Sequence, residues 1–112
     1  MTITAARLIA GSTLSSGQVT LYTAPALNTA VIKSAVVANP STVTSVKISV
    51  YIVPSGGSVT SANVVIAGVT VAPSTDYNCP ELVNQVLPPG SFLSASDGAG
   101  IASINASGYT IS

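Results

Sequence analysis

Apolar and polar positions alternate with a period of two along most of this chain. In Val46-Lys47-Ile48-Ser49-Val50-Tyr51-Ile52-Val53, positions 46, 48, 50 and 52 are β-branched and apolar, and Lys47, Ser49 and Tyr51 stand between them. Successive side chains of a strand point to opposite faces, so this run predicts a strand with one face on a core. Residues 30–38 are apolar on both faces apart from Lys33 and Ser34. They predict a central strand, or one covered by a neighbouring chain. Residues 19–23, 64–71, 91–96, 101–106 and 109–111 are strand-like as well. Gly68 interrupts one of these runs and predicts a bulge.

Turn residues punctuate the runs. Asn39-Pro40-Ser41, Pro54-Ser55-Gly56-Gly57-Ser58, Ala72-Pro73-Ser74-Thr75-Asp76 and Pro88-Pro89-Gly90 each separate two of them. Asp97-Gly98-Ala99-Gly100 lies between 91–96 and 101–106, and Asp-Gly between two strand-like runs predicts a hairpin. Ser107-Gly108 sets off a short final strand. One short helix, of a single turn or two, is predicted near residues 80–87, where Pro80 suits the first helical position, Glu81 the first turn and Pro88 the stop. Seven or eight short strands with turn signals about every 8–12 residues are the pattern of an all-β antiparallel sandwich, jelly-roll or immunoglobulin-like.

Residues 1–17 are rich in Thr, Ser, Ala and Gly around Arg7. They predict an edge strand or an arm reaching onto a neighbour, with residues 18–112 forming a single sandwich domain. No basic segment precedes an uninterrupted apolar core, so the start is a poor signal peptide and the mature protein is expected to begin near Met1. No run approaches the roughly 18 apolar residues of a membrane helix, so no membrane partner is expected.

Charge changes the picture most. The 112 residues include three basic side chains, three acidic ones and no His, and charged residues make up 5% of the chain. An ordinary domain carries about 25%. Three cations cannot neutralise a phosphate backbone, so nucleic acid is excluded as a partner. Without His the commonest general base and metal ligand are missing. A lone Cys makes neither an internal disulfide nor a Cys-rich zinc site and fits a reducing compartment. A surface of hydroxyls, small apolar groups and backbone packs against a neighbour without desolvating charges, so the chain reads as a component of an assembly.

Candidate chemistry is sparse. Asp76 and Glu81 are close enough in sequence to imagine an acid–base pair, but a turn end and a helix start account for them. Asp97 belongs to its turn. The acids and Asn residues lack the spacing of a calcium loop. Cys79 has no partner base and reads as a small buried hydrophobe. A Ser–Lys pair would need Lys33 or Lys47, but both fall in strand-like runs where solvated or interface lysines are commoner. Ser55-Gly56-Gly57-Ser58 lacks the Lys of a phosphate loop and reads as a turn, and the sequon at Asn105 reads as accidental. Tyr22, Tyr51, Tyr77 and Tyr109 read as rings covering the sandwich edges. A shared exposed patch of them would instead mark a protein or sugar site. The chain is therefore expected to be no enzyme and to carry no cofactor or metal.

The motifs Thr20-Leu21-Tyr22-Thr23-Ala24-Pro25, Asn39, Val50-Tyr51-Ile52-Val53-Pro54-Ser55-Gly56-Gly57-Ser58 and Ala62-Asn63 occur in that order. Val71-Ala72-Pro73, Tyr77, Cys79-Pro80-Glu81-Leu82-Val83, Val86-Leu87 and the ending Ser107-Gly108-Tyr109-Thr110-Ile111 follow them. Together they resemble a family of small tailed-bacteriophage and prophage virion-associated proteins, over most of the chain after about residue 19. The ending departs from that family, with Tyr109 and Ser112 where relatives tend to carry an acid. The resemblance implies a small β-sandwich built into the virion after synthesis in the bacterial cytoplasm. Its role would be a head decoration or cement protein, clustered as trimers, that binds between subunits of the major capsid protein or on another virion protein. The alternative it implies is a tail, collar or fibre-associated structural or host-binding module. The contacts are expected from the arm, through Arg7, Leu8 and Ile9, and from the loops at Pro54, Ser55, Gly56 and Gly57 and at Pro89 and Gly90. An arm of this kind predicts that removing residues 1–17 abolishes binding and leaves a folded core.

Overall fold

A computed structural model describes residues 2–112, and among them the chain is all-β. The strands are β1 (Ile3–Thr13), β2 (Val19–Thr23), β3 (Thr29–Asn39), β4 (Val46–Val53), β5 (Val64–Val71), β6 (Thr75–Tyr77), β7 (Val86–Leu87), β8 (Phe92–Ser96) and β9 (Ser103–Ile111). One antiparallel sheet has the order β1-β9-β3-β6, with β7 also paired to β3, and the other has the order β2-β8-β4-β5.

The pairing is nested. β1 pairs with β9, β2 with β8, β3 with β6 and β7, and β4 with β5. This is one long antiparallel hairpin with its tip between β4 and β5, wrapped so that successive pairs fall in alternate sheets. Such a double-sheet wrapping is a jelly roll. It resolves the two connectivities that the sequence left open.

The core lies between the inner faces of the two sheets. Ile32 and Val37 of β3, Ile104 of β9 and Ile9 of β1 pack in one cluster with Ile48 and Val50 of β4, Ile66 of β5 and Leu93 of β8. The period of two in β4 holds as far as Val50: Val46, Ile48 and Val50 are buried and Lys47 is exposed, but beyond a register shift at Tyr51 it is Val53 that is fully buried and Ile52 only half-buried. In β5, Val69 lies opposite Ile48 and Ala67 opposite Ser49, so Gly68 is the extra residue of a bulge, at φ 70°. Lys47 covers the space a Cβ would occupy there.

Three expectations need correction. The helix near 80–87 is a single 3-10 turn over Pro80–Leu82. Cys79 and Asn84 on either side adopt left-handed backbone, at φ 42° and 66°. Asn84 then donates its N–H to the Ile32 carbonyl at 2.7 Å, and Gln85 accepts from the Ile32 N–H at 3.0 Å. The segment joins the sheet as β7 instead of continuing as helix. Leu82 and Leu87 both reach the core.

The Asp97 turn does not close a hairpin, because β8 and β9 lie in different sheets. The buried Asp97 carboxylate accepts four backbone N–H groups, from Ala99, Gly100, Ile101 and Ala102, at 2.6–2.9 Å. They curl the chain over the end of the sandwich. Ser107-Gly108 does not separate two strands either, since β9 runs through both. A Cβ at Gly108 would collide with the Val31 carbonyl, so the missing side chain permits the close approach of β3.

Residues 3–13 form β1, an edge strand along β9, rather than a detached arm. Leu8, Ile9 and Leu14 belong to the core. Met1 lies outside the described residues.

Antiparallel connections sort the loops into two sets. Loops 24–28, 54–63 and 88–91 share one end of the sandwich; loops 14–18, 40–45, 72–74 and 97–102 share the other. At this second end the buried Asn39 side-chain amide donates to the carbonyls of Thr44 and Val71, at 2.8 and 3.1 Å, and its oxygen accepts from the Ser41 N–H. Those bonds brace the β3–β4 loop against the end of β5.

Candidate functional site

The first of these ends gathers most of the residues expected to touch a partner. Pro54, Ser55, Gly56 and Gly57 form a turn closed by the Gly57 N–H donating to the Pro54 carbonyl at 2.9 Å. In the 88–91 loop, Ser91 N–H donates to the Pro88 carbonyl at 3.0 Å, which turns the chain at Pro89 and Gly90. The two turns meet. A Cβ at Gly90 would lie 2.6 Å from the Ser55 hydroxyl, and Gly90 has φ 81°, so only glycine fits without displacement.

A third loop is stitched to the 88–91 turn. Gly90 N–H donates to the Ala24 carbonyl at 3.0 Å, and Ala24 N–H donates to the Ser91 carbonyl at 2.8 Å. Beyond Ala24 a turn is closed by Asn28 N–H on the Pro25 carbonyl, at 3.1 Å. None of the residues in 24–28, 54–63 or 88–91 carries a charged side chain. Glu81 borders them, in a depression with Ala62 and Asn63 of the 54–63 loop, so the uncharged surface is that of the loops themselves.

Arg7, Leu8 and Ile9 lie elsewhere. Leu8 and Ile9 are buried, and their side chains are taken up by this chain's own core. Arg7 is exposed and donates from its guanidinium to the Asn105 side-chain oxygen at 3.1 Å. It lines a shallow depression on the outer face of the first sheet, with Ser34 and Ser107, whose hydroxyls are 2.9 Å apart. Both strands beside β9 change register near Gly108, β3 at Lys33 and β1 between Ala6 and Ile9. These bulges place Arg7 and Lys33 around one second depression with Ser107 and Gly108. Lys33 in turn donates to the Asn84 side-chain oxygen at 2.8 Å.

The remaining reactive side chains are engaged locally. Glu81 does not pair with Asp76; both its oxygens accept from the Tyr77 hydroxyl, at 2.6 and 2.7 Å. That bond, with burial and the carboxylate's charge, pushes the Tyr77 phenol up to about 12. Cys79 is fully buried, and burial first, then the nearby Glu81 charge, pushes its thiol up to about 12. A thiol so protonated is a poor nucleophile. Among the described residues no group of three or more His, Cys, Asp or Glu side chains stands close enough to hold a metal ion. The tyrosines are dispersed: Tyr51 belongs to the second sheet, and Tyr77 and Tyr109 sit opposite Val37 and Val31 of β3 in the first. Tyr22 lies in the second sheet as well, opposite Leu93 of β8.

Two features went unnoticed in the sequence. Leu27, between Pro25 and Asn28, is 88% exposed at the tip of its turn. An apolar residue flanked by turn formers, outside any alternating run, was the available signal. Asn39 looked like loop punctuation, and nothing local distinguishes a buried amide from a solvated one.

No family model matches this chain, and no curated protein does. Among solved structures, the chain is similar to a chain in the structure of infectious bursal disease virus, Gt strain, with 17% identity and a TM-score of 0.44. The match covers 97% of this chain and 32% of that one, so the chain spans about a third of the length of the viral chain.

Proposed function

We propose that this chain is a non-enzymatic structural component of a bacteriophage virion, a head decoration or cement protein that binds between capsid subunits. The observation that carries the reading is a set of three loops without a charged side chain at one end of the sandwich, where backbone hydrogen bonds join loops 24–28 and 88–91 and Ser55 of the third loop lies against Gly90. Two further points support it. The ordered motifs resemble small tailed-phage virion proteins. The jelly-roll order is one that viral capsid domains use, an analogy at the level of fold, and lectin domains and cupins share it.

A cement protein works by adding interface area across subunit boundaries. Each contact is modest, and symmetry repeats it many times over the shell. Such a role needs a rigid, low-charge surface and no reacting group. The partner is the major capsid protein or another virion protein, and the chain associates with itself, as a trimer. Its location is the virion.

The test is co-sedimentation of the purified protein with shells of the major capsid protein from which it has been removed. Saturable binding that raises the shells' resistance to heat is the expected result. Protein that stays in the supernatant at saturating concentration contradicts the reading.

A further inference from the structure

A single exposed leucine needs no explanation on most proteins. Leu27 differs in its backbone. It has φ 72°, in the left-handed region, at the third position of the turn closed by Asn28 on Pro25. Ala26 before it has no positive φ, so the signs are those of a type II turn, whose third position calls for Gly or Asn. A bulky residue there is a genuine outlier. Its side chain gains nothing from the fold in return, being 88% exposed.

The surroundings hold this side chain out firmly. The turn follows Ala24, whose N–H and carbonyl are both bonded to the 88–91 loop, and Gly90 of that loop rests against Ser55. An apolar group displayed on a braced, uncharged platform loses little freedom and desolvates no ion when it is buried.

Resting on the virion reading above, we infer that Leu27 is the anchor of the docking surface and enters an uncharged apolar socket on a neighbouring virion protein other than this chain. The choice against a second copy comes from the chain's own surface. Three depressions on it are lined by Arg7, by Arg7 with Lys33, and by Glu81. Each would set a leucine beside a charged group.

Two substitutions test this, each read by thermal melting, by oligomeric mass in solution and by binding to capsid shells lacking the protein. Leu27→Asn removes the apolar group and suits the left-handed backbone. It is expected to raise Tm by about 4 °C, leave the oligomeric mass unchanged and weaken shell binding at least about tenfold. Leu27→Met keeps an apolar side chain of similar reach and is expected to bind within about threefold of the unsubstituted chain. Unchanged binding by Leu27→Asn overturns the anchor while leaving the virion reading standing. A fall in oligomeric mass overturns the choice of partner, because the socket then belongs to a second copy. A lowered Tm shows that Leu27 serves the fold and overturns the inference. Failure of the unsubstituted protein to bind shells overturns the virion reading and the inference together.

Discussion

Asp97 shows how one carboxylate can shape a fold whose sequence holds three acids. Burial alone would raise its pKa, but the N–H bonds from Ala102, Ala99, Gly100 and Ile101 outweigh burial and hold the carboxyl below the usual aspartate range. The charged form is thus favoured by folding. Its stabilising contribution is present above the unfolded aspartate range, near about 3.9, and is lost as pH falls through the lower folded value. Asp97→Asn replaces one accepting oxygen by an amide that donates toward N–H groups. A loss of about 3 kcal/mol is expected in urea unfolding at neutral pH. The difference from the unsubstituted chain should shrink as the medium is acidified. A variant as stable as the parent at neutral pH would refute this account of the corner. The Asp-Gly pair was legible as a turn. That its carboxylate would collect four N–H groups was not, since those donors come from a loop shape that only the sheets on either side define.

At the scale of elements, legibility followed burial on one face. β4 stood out because its alternating β-branched residues line a core, β3 because it is apolar on both faces, and the Gly68 bulge was visible as a break in the apolar run of β5. β1 was ambiguous. Its small polar residues carry little contrast, and the register shifts between Ala6 and Ile9 and between Ile9 and Ser12 break its period. The 80–87 segment misled because proline and an acid mimic a helix start, while the left-handed Cys79 and Asn84 leave no such mark. Placing β1 in the sheet changes the expected result of truncation. Removing residues 2–17 withdraws Leu8, Ile9 and Leu14 from the core. At about 2 kcal/mol for each buried side chain, about 6 kcal/mol is lost, within the whole stability of an ordinary domain. The truncated chain should show no cooperative melting transition, whereas a sharp transition near the parent's Tm would show that β1 is dispensable after all.

For the whole molecule, the pattern of short strands and turns foretold an all-β sandwich, and long-range pairing decided its connections. Jelly-roll and immunoglobulin-like sandwiches draw on the same short strands and turns, so local pattern cannot separate them. The nested pairing also brings together loops 24–28, 54–63 and 88–91, distant in sequence and without a charged side chain among them. Binding through these loops should respond weakly to ionic strength. Shell affinity is expected to change by less than about threefold between about 50 mM and about 500 mM salt, because there are no ion pairs to screen. A steep loss over that range would move the interface to the face bearing Arg7 and Lys33.

The central claim, that this chain is a repeated part of a virion shell, is tested most directly by its copy number in purified virions, measured by quantitative mass spectrometry against the major capsid protein. The account predicts on the order of hundreds of copies, near parity with the capsid protein, as the symmetry of a shell requires. Roughly ten copies or fewer would instead make it a tail, collar or fibre part, and its absence from virions would contradict the account altogether.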